Sequence, residues 1–133
     1  MAGKFWPVLF GAAAIYNFMA GLPPVLIPAM SAANPGLAPH APEHVIIAQI
    51  SGLLICTFGI GYAMVAFGSP GSRQIVTLGL IGKLSLCVLL AVHLMQGPVP
   101  RPMLIATAGD LLFSIAFIVW LVRNRPVPAP SPA

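Results

Sequence analysis

The sequence contains very few charged residues. Only 6% of its 133 residues are charged, with two acidic and six basic side chains, whereas typical soluble proteins have about 25%. So few charges cannot cover the surface of a soluble domain, and this scarcity excludes that class. Hydrophobic residues make up 59% of the chain, and a surface that faces lipid needs no charge. The length suits a single compact unit.

Patterns of metal centres and catalytic centres are also missing. The two cysteines, Cys56 and Cys87, lie in separate apolar runs without CxxC spacing, and we interpret them as small buried apolar side chains. No phosphate-binding loop, haem-attachment motif or nucleophile–base constellation is present. The sequence therefore predicts no catalytic residue and no enzyme activity, and it identifies no cofactor. The basic residues are scattered and form no stripe, so the net charge of +4 does not predict nucleic-acid binding.

What is present is a set of four long apolar stretches. They predict transmembrane helices at about residues 5–22, 44–67, 74–95 and 103–122. Each stretch has roughly 18 to 24 residues, which is enough to cross the hydrocarbon core of a bilayer. Short turns rich in Gly, Pro and Ser join the second helix to the third and the third to the fourth, so these neighbours should be antiparallel. The predicted fold class is all-α: a four-helix antiparallel bundle in the membrane over residues 1–122, with a disordered, proline-rich cytoplasmic tail at 123–133.

The first apolar stretch is interpreted as a retained helix rather than a signal peptide. Lys4 precedes it and Ala20 and Gly21 resemble a cleavage site, but Phe18 stands where cleavage needs a small residue. Two consecutive prolines at 23 and 24 are expected to end this helix, because proline lacks the amide donor. The connection from there to residue 43 should lie along the outer interface or re-enter the membrane shallowly.

The distribution of basic residues predicts the orientation of the chain. With both termini in the cytoplasm, the inner segments hold Lys4, Arg73, Arg123 and Arg125, and the outer segments hold Arg101. This excess favours the arrangement with both ends inside, since cytoplasmic loops are enriched in Lys and Arg. Trp6 and Trp120 then both fall at the inner interface.

A stripe of small residues follows one face of the second helix. Its members keep a helical rhythm over four turns: Gly52, Cys56, Gly59, Ala63 and Ala66. Small residues let membrane helices approach closely, so the stripe predicts packing within the bundle or at a subunit interface. Ala13 and Ala20 on the first helix and Gly79 and Gly82 on the third are candidate partners.

Two ionisable residues lie deep in apolar stretches. Lys83 is roughly 14 Å from the cytoplasmic start of its helix and Asp110 roughly 18 Å from the cytoplasmic end of its own, at 1.5 Å per residue. Matching depths predict an ion pair. Asn17 reaches a similar depth on the first helix, and Thr107 and Ser114 share the face of Asp110. The sequence thus predicts a polar cluster at the midplane, which is either a salt bridge that fixes helix register or a binding or proton-handling site.

A second polar set lies nearer the outer face. Gln49 and His93 are candidates to line a quinone or lipid pocket. Further imidazole, carboxylate and thioether groups are near: Met30, His40, Glu43, His44, Met95 and Met103. Imidazole and thioether ligands suit copper, but no paired spacing occurs, so we predict no metal site.

Four short motifs carry a family resemblance. They are Asn17-Phe18-Met19-Ala20-Gly21, Gly59-Ile60-Gly61-Tyr62, Gly82-Lys83 and Gly109-Asp110-Leu111-Leu112-Phe113. Over residues 16–121 the chain resembles small four-helix bacterial membrane proteins of the broad DoxX-like kind. The resemblance implies a four-helix architecture and a multi-pass location in the bacterial inner membrane. Some members are linked with quinone-coupled oxidation of sulfur compounds, an activity with no residue-level counterpart here.

Three functions remain open from the sequence. The first is a small membrane subunit or binding module, which is a homo-oligomer or part of a larger membrane complex. The second is an oligomeric transporter or channel that moves a small solute or protons through the midplane cluster. The third is a redox protein that uses Cys56 and Cys87 or the outer quinone pocket.

Overall fold

The protein is all-helical. The computed structural model describes residues 2–27 and 42–125, and for residues 2, 3, 42 and 43 it describes the backbone only. The helices are α1 (Ala2–Leu26), α2 (Pro42–Ala66), α3 (Ser72–Gln96) and α4 (Arg101–Arg123). All 4 are long and apolar enough to cross a membrane, which confirms the prediction of four apolar helices. Most of the predicted interfacial connection, and the predicted tail from residue 126 onward, lie outside the described residues.

The predicted end of the first helix is wrong. α1 continues through Pro23 and Pro24 to Leu26, and the Ile27 amide donates a hydrogen bond to the Pro23 carbonyl (2.9 Å). Proline's fixed φ is compatible with a helix, and its cost comes from the missing donor and the ring. Such a helix is tolerated in a membrane where a neighbouring helix packs against it. The neighbour here is α2: a Cβ placed on Gly52 would lie 3.0 Å from Pro24 Cγ.

The chain divides into two compact units, Met1–Ser72 and Arg73–Ala133. The first, called here the N-terminal unit, contains α1 and α2. The second, the C-terminal unit, contains nearly all of α3 and the whole of α4.

Within the N-terminal unit, α1 and α2 are antiparallel and very close. Ala14, in the middle of α1, lies next to Gly59, whereas Gly21, nearer the end of α1, lies next to Gly52. A Cβ on Gly21 would lie 2.6 Å from the Gly52 carbonyl oxygen, and one on Gly52 would lie 2.5 Å from the Gly21 carbonyl oxygen. Only glycine fits at both positions.

The predicted packing role of the stripe on the second helix is confirmed for its first three members. Gly52, Cys56 and Gly59 are buried, and the two glycines contact α1. Ala63 and Ala66 are half-buried. Of the two partners expected on α1, Ala13 is buried, whereas Ala20 is exposed and Gly21 makes the contact instead.

The turn after α2 depends on two glycines with left-handed backbones. Gly68 has φ 73° and Gly71 has φ 80°, values that residues with a Cβ rarely adopt. The Ser72 hydroxyl donates to the Ser69 carbonyl at 2.6 Å. These contacts allow α3 to begin six residues after Ala66, the last residue of α2.

Within the C-terminal unit, α3 and α4 are also antiparallel. Arg73, at the start of α3, contacts Leu121 near the end of α4, and Cys87 contacts Thr107 nearer the start of α4. The buried residues of α3 are Val76, Gly79 and Lys83, and their spacing places them on one face of the helix.

Candidate functional site

The central feature of the C-terminal unit is an ion pair between Lys83 and Asp110. Lys83 Nζ on α3 donates to Asp110 Oδ1 on α4, and the side chains are only 6% and 14% exposed. Each residue is within two positions of the middle of its helix. The predicted pair is therefore formed, and it lies about as far from the helix ends as possible.

An aromatic ring also lies close to the Lys83 ammonium. Nζ lies 5.6 Å from the centroid of the Phe113 ring. Phe113 follows Asp110 by three residues, so both side chains project from the same face of α4. A ring face attracts a cation, more strongly where water is excluded. The Asp110 carboxylate and the Phe113 ring beside the ammonium are both supplied by a single turn of α4.

Ser114 and Thr107 contribute less directly than the sequence predicted. Ser114 is 1% exposed, but its hydroxyl donates to the backbone carbonyl of Asp110 (2.8 Å), not to the carboxylate. Thr107 is half-buried, and its backbone carbonyl accepts a hydrogen bond from Cys87 Sγ at 3.9 Å. Both residues neighbour the ion pair along α4.

Asn17 and Gln49 link α1 to α2 in the N-terminal unit. Asn17 is 6% exposed, and its Nδ2 donates to the Ile55 carbonyl at 3.2 Å. Gln49 Nε2 donates to the Val25 carbonyl at 3.4 Å. Val25 is in the last turn of α1, where carbonyls lack the usual intrahelical donors, so the Gln49 amide helps to cap α1.

The outer pocket of Gln49 and His93 stays a prediction. Gln49 belongs to the N-terminal unit, and His93 is exposed in the last turn of α3 in the C-terminal unit. Across residues 2–27 and 42–125, no group of three or more His, Cys, Asp or Glu residues is arranged to hold a metal ion. His40, Met30 and the Glu43 side chain lie outside the described part of the chain. Cys56 and Cys87 are free thiols.

Sequence reasoning missed one contact at the end of α4. Arg73 Nη1 donates to the carbonyls of Leu121 (2.9 Å) and Asn124 (2.8 Å). Asn124 Nδ2 in turn donates to the Trp120 carbonyl at 2.8 Å. A guanidinium at a helix C-terminus satisfies free carbonyls and favours the helix dipole. The sequence signal for this contact was Arg73 at the start of α3, which the predicted antiparallel pairing places beside the end of α4.

Four apolar helices with an ion pair buried midway along two of them are the features of a small multi-pass membrane protein. No protein-family model matches the chain, and no curated protein or solved structure is significantly similar to it.

Proposed function

We propose that this chain is a small membrane subunit or binding module that acts through its transmembrane helices. In this proposal it belongs to the DoxX-like kind and resides in the bacterial inner membrane. It folds as a four-helix antiparallel bundle with both termini in the cytoplasm, and it assembles with copies of itself or with a larger membrane complex. The Lys83–Asp110 pair is its central polar site.

The exposure of the helices carries this proposal. In the most apolar part of each span, the share of residues buried within the chain is 28% for α1, 17% for α2, 17% for α3 and 11% for α4. Most of the apolar surface is therefore left for lipid or for other membrane helices. Nearly all of the described residues lie in these helices. Any partner of the chain would therefore mainly contact this apolar surface.

Because Lys83 and Asp110 are already paired with each other, the site favours a binding module or subunit over a transporter. The Lys83 ammonium already has the Asp110 carboxylate and the Phe113 ring. Among the described residues, no buried side-chain nitrogen or oxygen lacks a hydrogen-bond partner. A satisfied pair of this kind can fix one helix against another and specify their register.

The proposal is tested by removing both charges together. We expect wild type and the Lys83→Met/Asp110→Leu double variant to form the same assembly, because the pair orders the helices and does not form the contacts between subunits. The measurement is the detergent-corrected mass of the purified full chain, together with chemical crosslinking in native membranes. A wild-type chain that is monomeric and captures no membrane partner would contradict the proposal.

One observation favours transport as a second candidate. The Asp110 side chain retains 14% exposure although it lies midway along α4, and charges inside membrane spans often mark ion or proton paths. Proteoliposomes that enclose a pH-sensitive dye provide the second arm of the experiment. If the chain is a module, wild type and Lys83→Met should show equal proton flux. If Lys83→Met folds normally but loses the flux that wild type shows, the chain is a transporter and the module proposal is wrong.

A further inference from the structure

Three arginines lie together at one end of the C-terminal unit. Arg123 is the last residue of α4 and Arg125 follows two positions later. Arg73 comes from the start of α3, but its two hydrogen bonds to carbonyls of residues 121 and 124 hold its guanidinium at this same end of α4. We refer to Arg73, Arg123 and Arg125 as the arginine cluster. It brings three positive charges to the last turn of α4 and the two residues beyond it.

No acidic side chain that the structure describes neutralises the arginine cluster. The whole sequence has two acidic residues, Glu43 and Asp110. Asp110 pairs with Lys83 and precedes Arg123 by thirteen residues, which is about 20 Å along a helix. Glu43 is the second residue of α2 in the N-terminal unit, and its side chain lies outside the described part of the chain. The arginine cluster is therefore available to a counter-charge from outside the chain.

The cluster is open to a ligand and has donors to offer. Arg123 and Arg125 are exposed, and Arg73 is half-buried. Each guanidinium carries five N–H donors, and within residues 2–27 and 42–125 only Nη1 of Arg73 is engaged at this end. Arginine binds phosphate oxygens in a bidentate manner, which adds specificity to the charge attraction.

The position of the arginine cluster and the apolar side chains next to it suit a phospholipid. Because α4 is long enough to span a membrane, its end falls at the level of the phospholipid phosphates. Exposed apolar side chains cover the turn just below, namely Ile118 (44%), Val119 (38%) and Val122 (53%). A ligand with a phosphate at the arginines and an acyl chain along these residues meets both surfaces, and a free phosphate meets only the first.

We propose that Arg73, Arg123 and Arg125 form a binding site for the phosphate of an anionic phospholipid at the C-terminal end of α4. The site is separate from the Lys83–Asp110 pair and depends only on α4 crossing the membrane. Basic residues at a membrane surface attract anionic lipid by about 1 kcal/mol each, or about fivefold in affinity.

Lipid binding to the purified full chain tests this site. The probes are phosphatidylglycerol, phosphatidylcholine and inorganic phosphate, each titrated in nonionic detergent and followed by native mass spectrometry. We expect phosphatidylglycerol to bind about tenfold or more tightly than phosphatidylcholine. Arg123→Gln/Arg125→Gln should weaken phosphatidylglycerol binding by about 25-fold, the fivefold effect applied twice. Both residues are exposed, so the variant should fold normally.

Arg101→Gln is the matched control. Arg101 is also an exposed arginine at an end of α4, but it is the first residue of that helix. Its replacement should change phosphatidylglycerol affinity by less than about twofold. Equal affinity for the two lipids, or equal losses in the control and the double variant, would overturn the proposal. Inorganic phosphate that binds as tightly as phosphatidylglycerol would also overturn it, because the site would then recognise free phosphate.

Discussion

Lys83 and Asp110 are each unfavourable in a bilayer and are acceptable as a pair. A single Lys or Asp at the centre of a membrane helix costs about 2.5–3.5 kcal/mol on insertion scales. In the protein the two charges contact each other, and the ring of Phe113 faces the ammonium. The two side chains are only 6% and 14% exposed. If one of them were removed, water could not easily solvate the charge of the other.

This dependence predicts strong coupling between the two residues. We expect Lys83→Met alone and Asp110→Leu alone to lower the free energy of unfolding by about 3 kcal/mol each, because each leaves an unpaired buried charge. The double variant should lose less than either single variant, since it leaves no charge. Reversible unfolding in mixed micelles, analysed as a double-mutant cycle, measures this coupling.

Ser85→Ala serves as the control for this cycle. Ser85 is exposed on α3, and its hydroxyl bonds only to the Ile81 carbonyl one turn back (2.8 Å). The change should alter the free energy of unfolding by less than about 0.5 kcal/mol. If the effects of Lys83→Met and Asp110→Leu simply added, the two residues would not be coupled and the ion pair would have no energetic meaning.

Hydroxyl groups on the helices are hydrogen-bonded within their own helix, unlike the charges of Lys83 and Asp110, which need a partner on another helix. Four of them donate to the carbonyl four residues earlier at 2.8 or 2.9 Å: Thr57, Thr77, Ser85 and Ser114. Each such hydroxyl is satisfied by its own helix and needs no partner from a neighbour. Three of the four are exposed, and this internal bonding explains how they can face lipid.

At the level of elements, α1 and α2 approach so closely that backbone touches backbone. Gly21 and Gly52 face each other, and a Cβ on Gly21 would also lie 2.7 Å from Cys56 Sγ. Lipid tails are as apolar as the helices, so association depends on close packing rather than on a hydrophobic drive. Asn17 adds a hydrogen bond to the Ile55 carbonyl within the same contact.

This contact predicts a clear difference between two glycine substitutions on α1. Gly21→Ala should lower the free energy of unfolding by about 1–3 kcal/mol, because the new methyl group forces the helices apart. Gly11→Ala should be neutral or slightly stabilising, because nothing lies within 4 Å of a Cβ at that position. Thermal unfolding of the two variants in the same detergent provides the comparison. Similar losses in both would show that the effect comes from the backbone of α1 and not from contact with α2.

The four helices and the ion pair could be predicted because their causes are local. Apolar length decides a membrane span, and the high cost of a lone charge in lipid required a partner for Lys83 at matching depth. The end of α1 could not be predicted in the same way, because tolerance of two prolines in a helix depends on packing against a neighbour, and here Pro24 lies next to Gly52 of α2. The choice of Gly21 over Ala20 depends on the rotation of α1 about its axis, which the spacing of small residues alone does not determine.

For the whole molecule, the charge distribution leads to a prediction about orientation. With Cys56 and Cys87 replaced by Ala, we expect Gly97→Cys to react with a membrane-impermeant maleimide in intact spheroplasts, and Ser131→Cys to react only after lysis. The reason is that Lys and Arg accumulate on the cytoplasmic side. Gly97 suits the probe because it is exposed and a Cβ there meets nothing within 4 Å. Labelling of Ser131→Cys before lysis would mean that the C-terminus is outside.

The separation of Lys83 and Asp110 along the chain has a consequence for biosynthesis. Asp110 follows Lys83 by 27 residues, so a ribosome adding about 5–20 residues per second makes the carboxylate about one to five seconds after the ammonium. During that interval α3 carries a charge whose partner does not yet exist. We infer that the ion pair can close only after α4 has been made, and that until then the Lys83 ammonium lies in α3 without its carboxylate. A released chain that ends before residue 110 should therefore leave α3 more easily extracted by alkali than the full chain does, and equal resistance to extraction would contradict this inference.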